Sequence, residues 1–254
     1  MTTTHEPSAQ TLLQRWDAQQ TAFIKHRDQR FDIMVDTIRR LAPAQPRILD
    51  LACGPGSLSQ ALLKGLENCQ VVAVDKDPVL LKIAKEILPA EGKATVLDID
   101  LNNIDWQHPE LQGPFDAIVS STALHWLEPD SLSRLYFQLA QRLRLGGIFM
   151  NADHLYFDAH NQTTLHQLAK TDDQANQDEA FGQGVDDWDQ WWALAESRSD
   201  YRDAVEERSR RWAKDAPPTK VTLGYHLETL RSAGFKETGT IWQYLDDYVI
   251  CAIR

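Results

Sequence analysis

The segment Asp50-Leu51-Ala52-Cys53-Gly54-Pro55-Gly56 places small residues at 52, 54 and 56, between an apolar run and a helical pattern. Small residues let the backbone approach a ligand closely, and the helix that follows offers N–H groups with no partner of their own. A dinucleotide-binding loop wants G-x-G-x-x-G, and here Ser59 stands where its last glycine belongs. That spacing speaks against a NAD-type oxidoreductase. A second set of residues could move protons. An imidazole at His125 can take a proton from an attacking oxygen or nitrogen near neutral pH. Asp153-His154 forms another candidate acid–base pair, and packing or strand-end roles stay open for all three residues. His125, Asp153 and His154 lie on two loops without metal-ligand spacing, so no metal is assigned.

These residues must be positioned by strands and helices, and the chain alternates between the two. Apolar residues at helical spacing from Thr11 to about Leu41 predict one or two amphipathic helices. Ala42-Pro43-Ala44-Gln45-Pro46 ends them, because proline removes a donor and restricts the residue before it. Arg47 to Leu51 reads as a strand, Ser57 to Leu66 as a helix, Gln70 to Asp75 as a buried parallel strand and Pro78 to Ile87 as a helix. Further strands are predicted over Ala94–Leu97, Phe115–Ser120 and Gly147–Asn151, with a helix over Ser131–Leu143. The expected fold is α/β, a doubly wound, Rossmann-like, mostly parallel sheet whose ligands bind outside the carboxyl ends of its strands. Residues 221–254 add a helix ended by Gly234 and a hairpin, Glu237–Tyr244 and Tyr248–Ile253, around Leu245-Asp246-Asp247.

Ile48-Leu49-Asp50-Leu51-Ala52-Cys53-Gly54-Pro55-Gly56 resembles the first motif of the class I S-adenosylmethionine-dependent methyltransferases, with Ala52 replacing the usual first glycine. The resemblance covers roughly residues 45 to 155 and implies a seven-stranded sheet and S-adenosylmethionine as cofactor. It implies that Asp50, Ala52, Gly54 and Gly56 contact the methionine moiety. Asp75, ending the second strand beside Lys76, would hold the ribose hydroxyls; a carboxylate suits a vicinal diol because it accepts two charge-assisted hydrogen bonds. Asp100, with Asp98 as the alternative, would lie near the adenine amino group and Leu101 beside the ring. Ser120-Ser121-Thr122-Ala123-Leu124-His125-Trp126-Leu127 is similar to small-molecule enzymes of the trans-aconitate methyltransferase-like type, and Leu145-Gly146-Gly147 to the turn before the fifth strand. The implied activity is methyl transfer to a small molecule with release of S-adenosylhomocysteine. A domain that binds the cofactor without transferring methyl is the alternative.

The alternation divides the chain into N-terminal helices (1–44), a binding core (45–154), an inserted helical cap without strand signal (155–220) and a closing helix and hairpin (221–254), and the resemblance implies that the N-terminal helices cover the cofactor. In the cap, Trp188, Trp191, Trp192 and Trp212 read as a packing stripe rather than a cation cage, and the acidic run through Asp172, Asp173, Asp178, Asp186, Asp187 and Asp189 as solvated. Arg27 and Arg30 likewise read as a solvated helix face. Composition narrows the partners. With 37 acidic against 26 basic residues, the net charge of −11 would repel a phosphate backbone, so nucleic acid is not the expected substrate. Three cysteines, Cys53, Cys69 and Cys251, without paired spacing suggest a reducing compartment, and the expectation is a cytoplasmic enzyme. The start Met1-Thr2-Thr3-Thr4-His5-Glu6-Pro7 lacks a signal-peptide pattern, and no apolar run is long enough for a membrane span.

Overall fold

In the computed structural model, residues 6–89, 92–212 and 218–254 are described; the reading of the first five residues, and positions 213–217 of the cap, lie outside them. The chain runs α1 (Ala9–Phe23), α2 (Arg27–Leu41), β1 (Arg47–Leu51), α3 (Ser57–Gly65), β2 (Gln70–Asp75), α4 (Pro78–Ile87), β3 (Ala94–Asp98), β4 (Phe115–Ser121), α5 (Pro129–Arg142) and β5 (Leu143–His154). The cap follows as α6 (Thr163–Gly182), α7 (Trp188–Glu196) and α8 (Arg202–Arg211), and α9 (Leu223–Ser232), β6 (Glu237–Tyr244) and β7 (Asp247–Ile253) close the fold.

The seven strands form one sheet in the order β3-β2-β1-β4-β5-β7-β6. β1 to β5 are parallel, and β7 runs antiparallel to both neighbours. The strand order reverses between β1 and β4, and that switch point opens a crevice at the carboxyl ends of the strands.

The central strands are apolar on both faces because helices cover both. Leu49, Leu51, Val72, Val74, Ile118 and Phe149 face α5 and α9 with Leu135, Leu139 and Leu230. Ile48, Val71, Ala73, Val119 and Met150 face α2 and α3 with Met34, Ile38 and Leu62. A third cluster ties the cap to the core. Trp16 and Leu12 of α1, Val79, Leu80 and Ile83 of α4, and Trp191, Trp192 and Tyr201 of the cap are buried together. The indole N–H of Trp191 donates to the Leu12 carbonyl at 3.0 Å. Packing is thus the role of Trp191 and Trp192, whereas Trp188 is exposed.

Three local readings need correction. The fifth strand is longer than its apolar run, because the turn at Gly146 (φ +73°) lies within it and it continues to His154 beside β7. Arg27 and Arg30 are buried rather than solvated, each neutralised by a partner distant in sequence. Asp186 is also buried, paired with Arg15 of α1.

Candidate active site

The loop after β1 turns sharply: Ala52 (φ +53°), Gly54 (+55°) and Gly56 (+97°) all adopt the left-handed region. At Gly56 a Cβ would meet the Leu88 side chain at 3.3 Å in addition to the backbone strain, so glycine is required there. Ala52 tolerates the same conformation at a cost of roughly 1 kcal/mol, where the family pattern has glycine.

Two carboxylates flank this loop. Asp50, at the end of β1, is 1% exposed, and its hydrogen bond comes from the Ser59 hydroxyl at 2.6 Å. Burial, with the nearby Asp75 charge adding to it, pushes its carboxyl up to about 7. Asp75, at the end of β2, accepts the Gly54 N–H on Oδ2 and the Asp77 N–H on Oδ1, both at 2.8 Å. Burial raises it to about 6 despite those donors. Each Asp75 oxygen keeps a lone pair, so the carboxylate is oriented by the loop yet can still accept a diol. Neither Asp50 nor Asp75 has a cationic side chain as partner among the described residues. Isolated carboxylates are expensive to bury, and a ligand carrying an ammonium and a sulfonium would offset that cost. The donor set therefore fits S-adenosylmethionine.

The rim is made by the cap and α1. Asp17 of α1 accepts the Ser57 hydroxyl at 2.6 Å and pairs with Arg27 at 2.9 Å. Arg208 of α8 reaches Asp77 at 2.8 Å and lies over the Trp192 ring. Arg211 clamps both oxygens of Asp98 at 2.7 and 2.8 Å and donates to the Lys76 carbonyl at 2.6 Å. Lys76 turns its ammonium over the Trp212 ring. Asp100 is exposed and caps its own turn by accepting from Asn102 N–H at 2.9 Å. Leu101 packs partly buried at the core edge. The Ser120 hydroxyl, fully buried, donates to the Leu51 carbonyl at 2.9 Å, so it ties β4 to β1.

The acid–base candidates separate into two groups. Successive residues of a strand face opposite ways, so the side chains of Asp153 and His154 do not pair. Because Ser120 lies opposite Asn151, the segment after β4 runs beside the end of β5. Asp153, fully buried, accepts His125 Nδ1 at 2.7 Å and the His125 N–H at 3.3 Å. Burial opposes the charge on Asp153, but His125 and then Arg30 outweigh it and hold the carboxyl below its usual range. The ionised carboxylate therefore accepts a hydrogen bond from Nδ1–H and leaves Nε2 as the basic nitrogen. On the opposite face, His154 Nδ1 lies 3.7 Å from Asp246. His125, Asp153 and His154 thus form no common metal site.

Arg30 joins the neighbouring elements. Fully buried, it pairs through Nε with Asp247 at 2.6 Å, through Nη2 with the other Asp247 oxygen, and through Nη1 with Thr122 Oγ1 at 3.0 Å. Asp17, Arg208, Arg211 and Asp247 were absent from the sequence-derived site, since their roles depend on partners at least ten positions away.

A family description, "Methyltransferase domain", matches residues 48–147. This stretch holds β1 to the first half of β5, with the turn and both carboxylates just described. The match places a methyltransferase domain over these residues, and the relatives and solved structures similar to the chain are largely S-adenosylmethionine-dependent enzymes. Among similar methyltransferases, trans-aconitate 2-methyltransferase of Azoarcus sp. is 28% identical over 52% of this chain and 48% of its own length. Malonyl-[acyl-carrier protein] O-methyltransferase 1 of Ilyobacter polytropus is 29% identical over 48% and 42%. Carboxy-S-adenosyl-L-methionine synthase of Photorhabdus laumondii is 26% identical over 47% of each. The chain spans about half the length of the curated relatives it matches. In solved structures, magnesium protoporphyrin IX methyltransferase from Synechocystis, with bound SAH, superposes with a TM-score of 0.56, at 15% identity over 95% of this chain and 94% of that one. At that identity the likeness concerns the methyltransferase fold. No helix among the described residues is long and apolar enough to cross a membrane.

Proposed function

We propose that the chain transfers a methyl group from S-adenosylmethionine to a small-molecule acceptor and releases S-adenosylhomocysteine. The observation that carries this reading is the burial of Asp50 and Asp75 beside a left-handed loop, with no cationic side chain among the described residues to neutralise them. When bound, the cofactor supplies a methyl group made electrophilic by the sulfonium charge. Asp50 with the loop residues Ala52, Gly54 and Gly56 receives the methionine end. Asp75 accepts the ribose hydroxyls, Lys76 and Leu101 flank the adenosine, and Asp98 or Asp100 meets the adenine amino group. Ser120 acts through the strand pairing it fixes.

His125 is the proposed base: Asp153 orients its ring, and Nε2 takes the proton from the acceptor. Orientation of the reactants supplies the larger share, roughly 7–11 kcal/mol, and a base about 10²- to 10⁴-fold. We assign His154 no proton-transfer step, since it faces away from His125 and Asp153.

Calorimetric titration with S-adenosylmethionine, S-adenosylhomocysteine and NAD tests the cofactor. Selective binding of the sulfur cofactors, weakened by Asp75→Ala, is expected; binding of NAD alone, or of nothing, would sink the proposal. Trans-aconitate and other small carboxylic acids head the acceptor panel, given the named relatives. His125→Ala is expected to lower kcat by about 10²- to 10⁴-fold with cofactor affinity unchanged. The carboxy-S-adenosyl-L-methionine synthase relatives favour one second reading, modification of the cofactor itself. Mass spectrometry separates the two: S-adenosylhomocysteine with a methylated acceptor, or a heavier cofactor.

A further inference from the structure

At the carboxyl end of β5, on the face away from His125, three segments distant in sequence converge. His154 ends β5, Asp246 sits in the β6–β7 turn, and Asp173 lies on α6 of the cap. One ligand atom from each lies within 4.8 Å of the others.

The pairing around this cluster is incomplete. Asp246 is only 4% exposed, yet its carboxylate makes no hydrogen bond among the described residues; His154 Nδ1 lies 3.7 Å from it. His154 Nδ1 is itself a buried atom without a hydrogen-bond partner. Asp173 has neither ion pair nor hydrogen bond among the described residues, because Lys25 pairs with its neighbour Asp172. Arg30, the buried cation nearby, is committed to Asp247 and Thr122. Two carboxylates therefore share one imidazole, in a place where leaving a buried acceptor unsatisfied is costly.

We propose that His154, Asp173 and Asp246 bind a divalent cation of the Mn²⁺ or Zn²⁺ type. One imidazole nitrogen and two carboxylate oxygens suit such ions, which accept mixed nitrogen and oxygen ligands and leave positions for water. At ligand distances of about 2.0–2.2 Å, the three atoms must each move inward by roughly 0.5–1 Å. The mutual repulsion of Asp173 and Asp246 opposes that movement without the ion, and the ion removes the repulsion. The sequence gives no ligand spacing to find the site, because its members are brought together by the β5–β7 pairing and the docking of α6. The bound ion would staple the cap to the sheet. It takes part in no step of the proposed methyl transfer, so its test is independent of that reaction.

The probe is Mn²⁺, titrated into the full chain after dialysis against chelator, with free Mn²⁺ followed by electron paramagnetic resonance. One ion per chain is expected, displaced by Zn²⁺, and with a thermal melting point that rises on binding. Asp246→Asn should abolish uptake, and Asp173→Asn should weaken it by at least about tenfold. Circular dichroism checks that the variants fold; should Asp246→Asn not fold, the partly exposed Asp173 carries the comparison. No uptake by the wild-type chain, or equal uptake by wild type and Asp173→Asn, overturns the site.

Discussion

The ends of β1 and β2 and the ends of β4, β5 and β7 bury similar carboxylates but treat them in opposite ways. On the first edge, Asp50 and Asp75 have hydroxyl and backbone donors and no cationic partner among the described residues. On the second, Asp153 has His125 and Asp247 has Arg30. A charge matched within the protein serves position, whereas one left unmatched keeps its electrostatic energy for a ligand. Under the proposed function, the difference suits the first edge to a cationic cofactor and the second to a preset frame around His125.

Removing a matched partner should do the greatest damage. Arg30→Ala leaves Asp247 buried beside empty space and is expected to destabilise the fold by about 3–5 kcal/mol, measured by urea unfolding. A loss under about 1 kcal/mol would mean that Asp247 is not held by this pair. The opposite sign is expected on the other edge. The carboxyl of Asp50, raised from 3.8 to about 7 in the folded chain, contributes no penalty below about pH 4. As pH rises toward 7 the unfolded chain loses this proton and the folded chain retains it, so stability falls, and the loss is complete above about pH 7. Asp50→Asn should therefore stabilise the ligand-free protein at pH 8 by up to about 4 kcal/mol and change little at pH 4. The same variant should bind S-adenosylmethionine more weakly. Equal stability of variant and wild type at both pH values would erase the contrast between the edges. The smallest effect is expected at the rim: Arg211 and Asp98 are both partly exposed, so Arg211→Ala should cost only about 0.2–1 kcal/mol by the same unfolding measurement.

The sequence made the first edge legible and the second only in part. The β1 loop, β2 and α4 announce themselves through doubly apolar strands, small residues at fixed offsets and the Asp77-Pro78 helix start, all of which are local signals. His125 and Asp153 each stood out as residues, but their partnership depends on the β4–β5 register and was misread as Asp153 with His154. Arg30 looked like one more charge on a helix rich in them, since Asp247 lies 217 positions away. The tryptophan stripe of α7 was readable as packing from its spacing, while the pairing of Asp186 with Arg15 across the cap was not.

Arg208 and Arg211 fasten α8 across the ends of β2 and β3, directly over the loop that holds Asp75. A ligand that enters over this loop would meet these two side chains. If they hold alike before and after binding, they set how fast a ligand enters and leaves without altering its equilibrium affinity. Cutting them, as in Arg211→Ala, would then accelerate association and dissociation together, and the residence time of spent cofactor on the protein would shorten.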